Sequence, residues 1–221
     1  EKVDIPLIIH GKEIFTENKG ENRSPDEHSR ILANYSMAGS SEVAQAIAST
    51  LKAKETWVTF HWSERAAIFL KAADLIAGPY RQKMNAVTML GLGKTVYQAE
   101  VDVVEMIDFL RFNAYYLEEI YSNQPLSSGG QWNMLEYRPL EGFVFAITPF
   151  NFISIGGNLP TSPALMGNTV IWKPASTAVY PAYYLMKILI ESGLPPGVIN
   201  FVPGKGSVLG KQIIVDSNLA G

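Results

Sequence analysis

Two four-residue segments gather the side chains best placed to do chemistry, Thr148-Pro149-Phe150-Asn151 and Lys173-Pro174-Ala175-Ser176. Each closes an apolar run, Phe143–Ile147 and Thr169–Trp172 respectively. Short apolar runs bounded by turn residues are expected of strands buried on both faces, as in a parallel sheet. Such sheets bind ligands beyond the carboxyl ends of their strands, so both segments are expected to touch the ligand. An amide at Asn151 can donate a hydrogen bond to an oxygen that gains negative charge during a reaction, at low reorganisation cost. The alternative is a turn or helix-start residue bound to its own backbone, a place that Asn favours. Lys173 stands where a dinucleotide-binding fold usually carries Asp or Glu for the adenosine ribose. A lysine there can donate to the ribose hydroxyls with Ser176 as a neutral neighbour, or it is a charge flanking an apolar strand. A third segment, Gly204-Lys205-Gly206-Ser207-Val208-Leu209-Gly210, opens a helix after a third strand. It lets a nucleotide approach a helix N-terminus, although glycine also serves steric needs at such turns.

Other chemistries find little support. The G-x-G-x-x-G of a pyrophosphate clamp is missing after the first of these strands, where Pro149-Phe150-Asn151 stands instead. No G-x-S-x-G elbow is present for a Ser-His-Asp site. His10, His28 and His61 are scattered without metal-ligand spacing, so no metal is expected. Glu100, Asp102, Glu105 and Asp108 follow one another along a long helix, where such charges usually form a solvated face. Glu105 lies within a turn of Val101 and Phe109 and so borders an apolar surface.

The totals narrow the class. The chain has 221 residues, a net charge of −3 and no cysteine. Its balance gives no field that would draw nucleic acid or an anionic membrane. No apolar stretch approaches the about 18 residues of a membrane span, and the first residues lack the layout of a secretory signal. Without cysteine there is no disulfide, thiolate metal site or thiol nucleophile within these residues.

The elements that must position the segments follow in order. Ile5–Phe15 reads as a strand and turn bent at Gly11, Glu17–Pro25 as a polar loop, and Ile31–Tyr35 as a strand. A helix starts at Ser41, capped by Ser40 or Ser41, with Val43, Ile47 and Leu51 on one face. A second spans Ser63 to about Ala77. A third follows Gly78-Pro79, with Pro79 in its first turn, and runs to about Gly91. A long helix from Thr95 to about Tyr121 turns Val96, Val103, Ile107, Leu110, Ala114 and Leu117 inward. Pro125–Gly130 is a turn, and Trp132–Arg138 alternates like a strand, suggesting a protruding hairpin that pairs with another subunit. The remainder predicts strand 143–147, helix 154–167, strand 169–173, helix 178–192, strand 198–202 and helix 206–214. That alternation is expected of a doubly wound parallel sheet. The next strand is expected to begin at Asn218–Gly221, which makes the sheet look unfinished.

On ITPFNF, GNLPTSPALMGNTVIWKP and SGLPPGVINFVPGKGSVLG, the sequence resembles the aldehyde dehydrogenase superfamily. Upstream, ERAAIFLKAADLIA, GKTVYQAE, FLRFNAYY and LEYRPLEGFVFAITPFNF extend the similarity, most like the 1-pyrroline-5-carboxylate (glutamate-semialdehyde) dehydrogenase branch. The resemblance implies an α/β, aldehyde dehydrogenase-like fold with an N-terminal helical region, an incomplete Rossmann-like sheet and an oligomerisation hairpin. The implied divisions are 1–121 for the helical region of the cofactor domain, 122–140 for the arm and 141–221 for the NAD-binding segment. Asn151 matches the asparagine that stabilises the oxyanion, and Lys173 the lysine that holds the adenosine ribose of NAD. Thr148, Pro149 and Phe150 match the ribose side, and Gly204, Gly206 and Gly210 the loop beside the adenine. Phe152 resembles an aromatic of the substrate tunnel, and Glu105 a helical carboxylate near the substrate's amino group. Ser176 stands where many NAD-preferring relatives carry Glu, which leaves room for a 2′-phosphate, yet this branch is expected to use NAD.

The implied reaction is NAD-linked oxidation of glutamate 5-semialdehyde to glutamate through a thiohemiacetal. The family's F-T-G-S loop, general-base glutamate and nucleophilic cysteine fall beyond the position matching Gly221. The alternatives are another semialdehyde dehydrogenase, such as one for succinate semialdehyde, and a truncated, non-catalytic nucleotide-binding fragment. A small-molecule aldehyde substrate, a homodimer or higher oligomer, and bacterial cytoplasm or mitochondrial matrix complete the expectations.

Overall fold

The apolar runs do form strands, and helices cover them. The computed structural model describes residues 3–221. In chain order the elements are β1 (Val3–Ile5), β2 (Leu7–Ile9), β3 (Lys12–Ile14), β4 (Lys19–Arg23), β5 (Ile31–Ser36), α1 (Ser40–Trp57), α2 (Trp62–Ala77), α3 (Arg81–Leu92) and α4 (Val96–Ser122). They continue with β6 (Val144–Ile147), α5 (Ile153–Leu165), β7 (Val170–Lys173), a 3₁₀ turn (Ser176–Ala178), α6 (Val179–Glu191), β8 (Ile199–Phe201) and α7 (Gly206–Ile213).

The main sheet has the order β3-β2-β8-β7-β6, with β6, β7 and β8 parallel and β2 antiparallel to β8. β7 and β8 are buried along their whole lengths, so alternate residues feed two cores. Val170, Trp172, Ile199 and Phe201 join the core that includes Phe69, Met106 and Leu185. Ile171 and Val202 join the other, with Val43 and Ile47 of α1 and Leu209 and Ile213 of α7. Each large apolar side chain so enclosed contributes about 1.5–3 kcal/mol. β6 differs from the expectation of burial on both faces: Val144 and Phe145 are half-buried and Ile147 is 57% exposed. It lies at the margin of the sheet, with the chain's last residues along it. Phe143 N–H donates to Asn218 O at 2.8 Å, and Ala220 N–H donates to Phe143 O at 2.8 Å. Gly142 (φ +96°) permits this approach, since a Cβ there would fall 1.9 Å from Asn218 O.

Elsewhere the structure corrects several expectations. Lys19–Arg23 is a strand rather than loop, paired antiparallel with β5 in a small sheet of order β1-β5-β4. Its mostly exposed, polar residues hide the usual apolar signal. The cap of α1 is Gly39, whose N–H donates to the Glu42 carboxylate at 2.8 Å, while Ser40 is already helical. Pro79 precedes α3, which starts at Arg81 after Tyr80. Val96 is 65% exposed because it sits in the first turn of α4, whereas Val103, Ile107, Leu110, Ala114 and Leu117 are buried. Thr95 caps α4 as expected for a capping box, exchanging hydrogen bonds with Gln98 at 3.3 and 3.0 Å.

Residues 123–140 fold back on themselves, but no strand forms at Trp132–Arg138. Side chains take the place of a backbone ladder. Gln124 bonds both the N–H (2.8 Å) and the C=O (3.4 Å) of Leu135, and Asn133 reaches Leu126 O at 2.9 Å.

The short helix α5 is held at its C-terminus by α1 and α2. Trp57 Nε1 donates to Ala164 O at 2.9 Å, and Arg65 Nε to Leu165 O at 2.9 Å. Arg65 is only 4% exposed, and its other nitrogens donate to Phe60 O (2.6 Å) and Tyr121 Oη (3.0 Å). A cation at a helix C-terminus has the sign that the helix dipole favours.

Candidate functional site

The register of the parallel strands brings the two chemical segments together. Ile147 pairs with Lys173, and Thr148 N–H donates to Lys173 O at 3.1 Å. Both segments therefore leave the carboxyl edge of the sheet side by side, where a ligand of an open parallel sheet belongs. Thr148 is buried, and its Oγ1 accepts from Trp172 Nε1 at 3.1 Å. Its hydroxyl is thus tied to the strand ends as an acceptor and keeps its O–H to donate. Pro149 is half-buried and Phe150 is 65% exposed.

Asn151 is exposed one residue before the Phe152 cap of α5. It borders a hollow of about 500 Å³ whose walls include Lys94, Tyr97, Val101, Phe150 and Phe152. Phe152 is 40% exposed, with the Lys94 ammonium 3.9 Å from its ring centroid. Such a cation–π contact is worth about 0.5–1 kcal/mol where exposed. Glu105 is exposed one turn along α4 from Val101, and its carboxylate accepts from Ser154 Oγ at 2.7 Å.

Lys173 is only 8% exposed. Its ammonium donates to Pro174 O at 3.4 Å and forms none of the ion pairs among the described residues. Burial without a countercharge pushes its pKa below the ordinary lysine value. Ser176 is exposed at the start of the 3₁₀ turn. Gly206 stands beside the lysine: a Cβ added there would come 3.9 Å from Lys173 Cε. Gly204 plays a different part, being buried where a Cβ would meet Leu209 Cδ1 at 2.6 Å. Gly210 lies in α7, a Cβ's distance of 3.5 Å from Ile214 Cδ1. The strand ends and Gly206 thus form one cluster, while Gly204 and Gly210 face the packing of α7.

Three supporting residues escape the sequence reading. Asn22 of β4 is 1% exposed and donates to Thr177 O at 2.8 Å, while accepting from Tyr180 N–H at 3.1 Å. It fixes the loop after Lys173 to the start of α6. Asp102 is not on a solvated face: it is 1% exposed and accepts from Ile153 N–H (3.0 Å) and Ser154 N–H (2.9 Å). Lys94 pairs with the same carboxylate at 2.7 Å. A signal for Asp102 was present, since it falls between buried Ala99 and Met106 on the inward face of α4. Asn22 carries no such signal, because its partners are far away in sequence. Among the described residues no cluster of three or more His, Asp or Glu could hold a metal ion, and no helix is long and apolar enough to cross a membrane.

Known proteins share this architecture. The chain is 51% identical over 208 residues to delta-1-pyrroline-5-carboxylate dehydrogenase of Agaricus bisporus, covering 93% of this chain and 38% of that protein. It is 45% identical over 218 residues to the protein of Homo sapiens named delta-1-pyrroline-5-carboxylate dehydrogenase, mitochondrial, covering 98% of this chain and 39% of that one. It superimposes with a TM-score of 0.97, at 48% identity, on the crystal structure of the Mycobacterium tuberculosis delta-pyrroline-5-carboxylate dehydrogenase bound with NAD, covering 99% of this chain and 41% of that one. The chain spans about 40% of the length of the curated relatives it matches. The aldehyde dehydrogenase family matches residues 15–221, which hold the parallel strands β6, β7 and β8 and every helix, and the chain belongs to that family.

Proposed function

We propose that this chain supplies the cofactor-binding and oxyanion-stabilising part of an NAD-dependent 1-pyrroline-5-carboxylate dehydrogenase, which oxidises L-glutamate 5-semialdehyde to L-glutamate. The observation that carries the reading is the pairing of strand ends that sets Asn151 and Lys173 on one edge of the sheet. The residues present fit NAD. A buried ammonium with one long hydrogen bond has donors to spare for a ribose diol, and Gly206 leaves room beside it. Lys173 would hold the adenosine ribose, with Ser176 beside it, and the loop at Gly206 would flank the adenine, its path set by the packing of Gly204 and Gly210 in and against α7. When bound, the cofactor supplies a hydride acceptor.

In this reading the Asn151 amide donates to the aldehyde oxygen as it becomes an oxyanion, and Phe152 and Glu105 face the substrate side. The thiol nucleophile must come from outside these residues, which hold no cysteine. Residues 1–121 and 141–221 together would form the cofactor-binding part. The arm at 122–140 would join copies into a homodimer or higher oligomer, its unladdered backbone free to pair with a neighbour. A reducing compartment, bacterial cytoplasm or mitochondrial matrix, suits the thiol chemistry.

The test is turnover of the full-length protein with NAD across aldehydes. A preference for glutamate 5-semialdehyde over succinate semialdehyde and unrelated aldehydes supports the reading; equal rates on all of them overturn it.

Lys173 gives a second test, with effects of opposite sign on affinity and stability. Lys173→Met should weaken NAD by about tenfold or more, since hydrogen bonds to charged groups contribute about 1.5–3 kcal/mol. The same change removes a buried, unpaired charge and should stabilise the NAD-free protein by about 1 kcal/mol. The sign of the pH dependence follows. A folded-state pKa below the unfolded one means that the unfolded chain binds more protons between the two values. In the wild type, this group therefore adds stability as pH rises through that window up to the ordinary lysine pKa, and Lys173→Met should lose that rise. Unchanged NAD affinity by titration calorimetry would remove Lys173 from the site.

A further inference from the structure

We propose that Asp102, on α4, is a positioning residue that holds Asn151 in register for the oxyanion; this rests on the reading of Asn151 given above. Asn151 sits on a connection with one anchor at each side. Upstream, Thr148 is fixed by its backbone bond to Lys173 and by the Trp172 indole. Downstream, the first two amides of α5, Ile153 and Ser154, each end on a different oxygen of the Asp102 carboxylate, at 3.0 and 2.9 Å.

That carboxylate is itself held. It is 1% exposed, Lys94 pairs with it at 2.7 Å, and the same ammonium lies over the Phe152 ring at 3.9 Å. One buried charge thus fixes the residue after Asn151 through Lys94 and the two residues beyond it directly. Free amides at a helix N-terminus attract anions. By occupying both, Asp102 keeps the start of α5 from turning toward the negative oxygen, and leaves the Asn151 amide as the donor on that side. Neither anchor uses the Asn151 side chain, which is exposed toward the hollow. A donor on a two-point suspension is sensitive to small shifts of either point, and misplacement by about 1 Å can cost on the order of a hundredfold in rate.

The experiment is a double-mutant cycle in the full-length enzyme, with Asp102→Asn, Asn151→Ala and both together. Asp102→Asn keeps the volume and removes the charge that Lys94 and the amides share. It is expected to lower kcat by about tenfold or more, with KM for NAD within about twofold of wild type. The double variant is expected to be no slower than Asn151→Ala alone, because a residue acting through Asn151 has nothing left to position. A kcat within about threefold of wild type, or losses that multiply in the double variant, overturns the proposal. If Asp102→Asn fails to fold, Lys94→Met takes its place in the cycle, with the same expected non-additivity, and wild-type turnover by that variant overturns the proposal. A loss of less than about tenfold from Asn151→Ala alone would instead bring down the oxyanion reading, so the two failures are told apart.

Discussion

Replacing Asn151 by alanine in the full-length enzyme is expected to lower kcat by about 10²–10³-fold, the usual loss for one oxyanion donor. The side chain is exposed, and the bonds that fix its loop are made by Thr148, Ile153 and Ser154 instead. Its removal should therefore leave the fold alone, with a melting midpoint within about 1 °C of wild type, as for most exposed substitutions. Substrate binding should change little, because the interaction develops with the charge on the oxygen and is weak before it. Steady-state kinetics with a thermal melt check both halves. A loss of under tenfold, or a fall in stability without one in kcat, would make Asn151 a turn residue only.

The second large effect concerns stability. Arg65→Ala should destabilise the protein by about 3–5 kcal/mol, from the buried hydrogen bonds and side-chain packing that it removes. The guanidinium holds three separate pieces together: the end of α5 at Leu165, the segment after α1 at Phe60, and the far end of α4 at Tyr121. Truncation strands two carbonyls, each costing about 1–3 kcal/mol if left unpaired, and removes the packing of the aliphatic stem. Arg65→Lys should recover little, since an ammonium cannot serve three directions with the geometry of a guanidinium. With about 2–4 °C per kcal/mol for a unit of this size, the midpoint should fall by roughly 10 °C. An Arg65→Ala protein melting within about 2 °C of wild type would show that water replaces these bonds at no net cost.

Much of this was legible in the chain because local signals agree with the fold. Val170–Trp172 and Ile199–Phe201 read as buried strands since both faces are covered, and the helices between them carry a clear apolar stripe. The strand ends then follow from topology, which is why Asn151 and Lys173 could be singled out. What escaped depends on contacts distant in sequence. Lys-Gly-Glu-Asn-Arg at 19–23 is polar because it is an edge strand whose stability comes from β5, and Gly20 is there because a Cβ would strike the Tyr35 ring at 2.3 Å. Gly39 could not announce itself as a cap, since the bond is made by Glu42. Asp102 was grouped with neighbours whose charges are solvated, because α5, whose first amides it binds, begins some fifty residues later.

The placement of β2 matters most before the protein is finished. Its partner is β8, through Ile8 and Phe201, and the turn after it is tied down by Asn200, which accepts from His10 N–H at 2.9 Å. A ribosome adds about 5–20 residues per second, so the first hairpin waits roughly 10–40 s for the strand that covers its other edge. Through that time Leu7, Ile8 and Ile9, all buried at the end, form an apolar edge that β3 covers on one side only. Such an edge pairs with whatever strand it meets first. Only when translation has passed residue 201 can β8 close that edge.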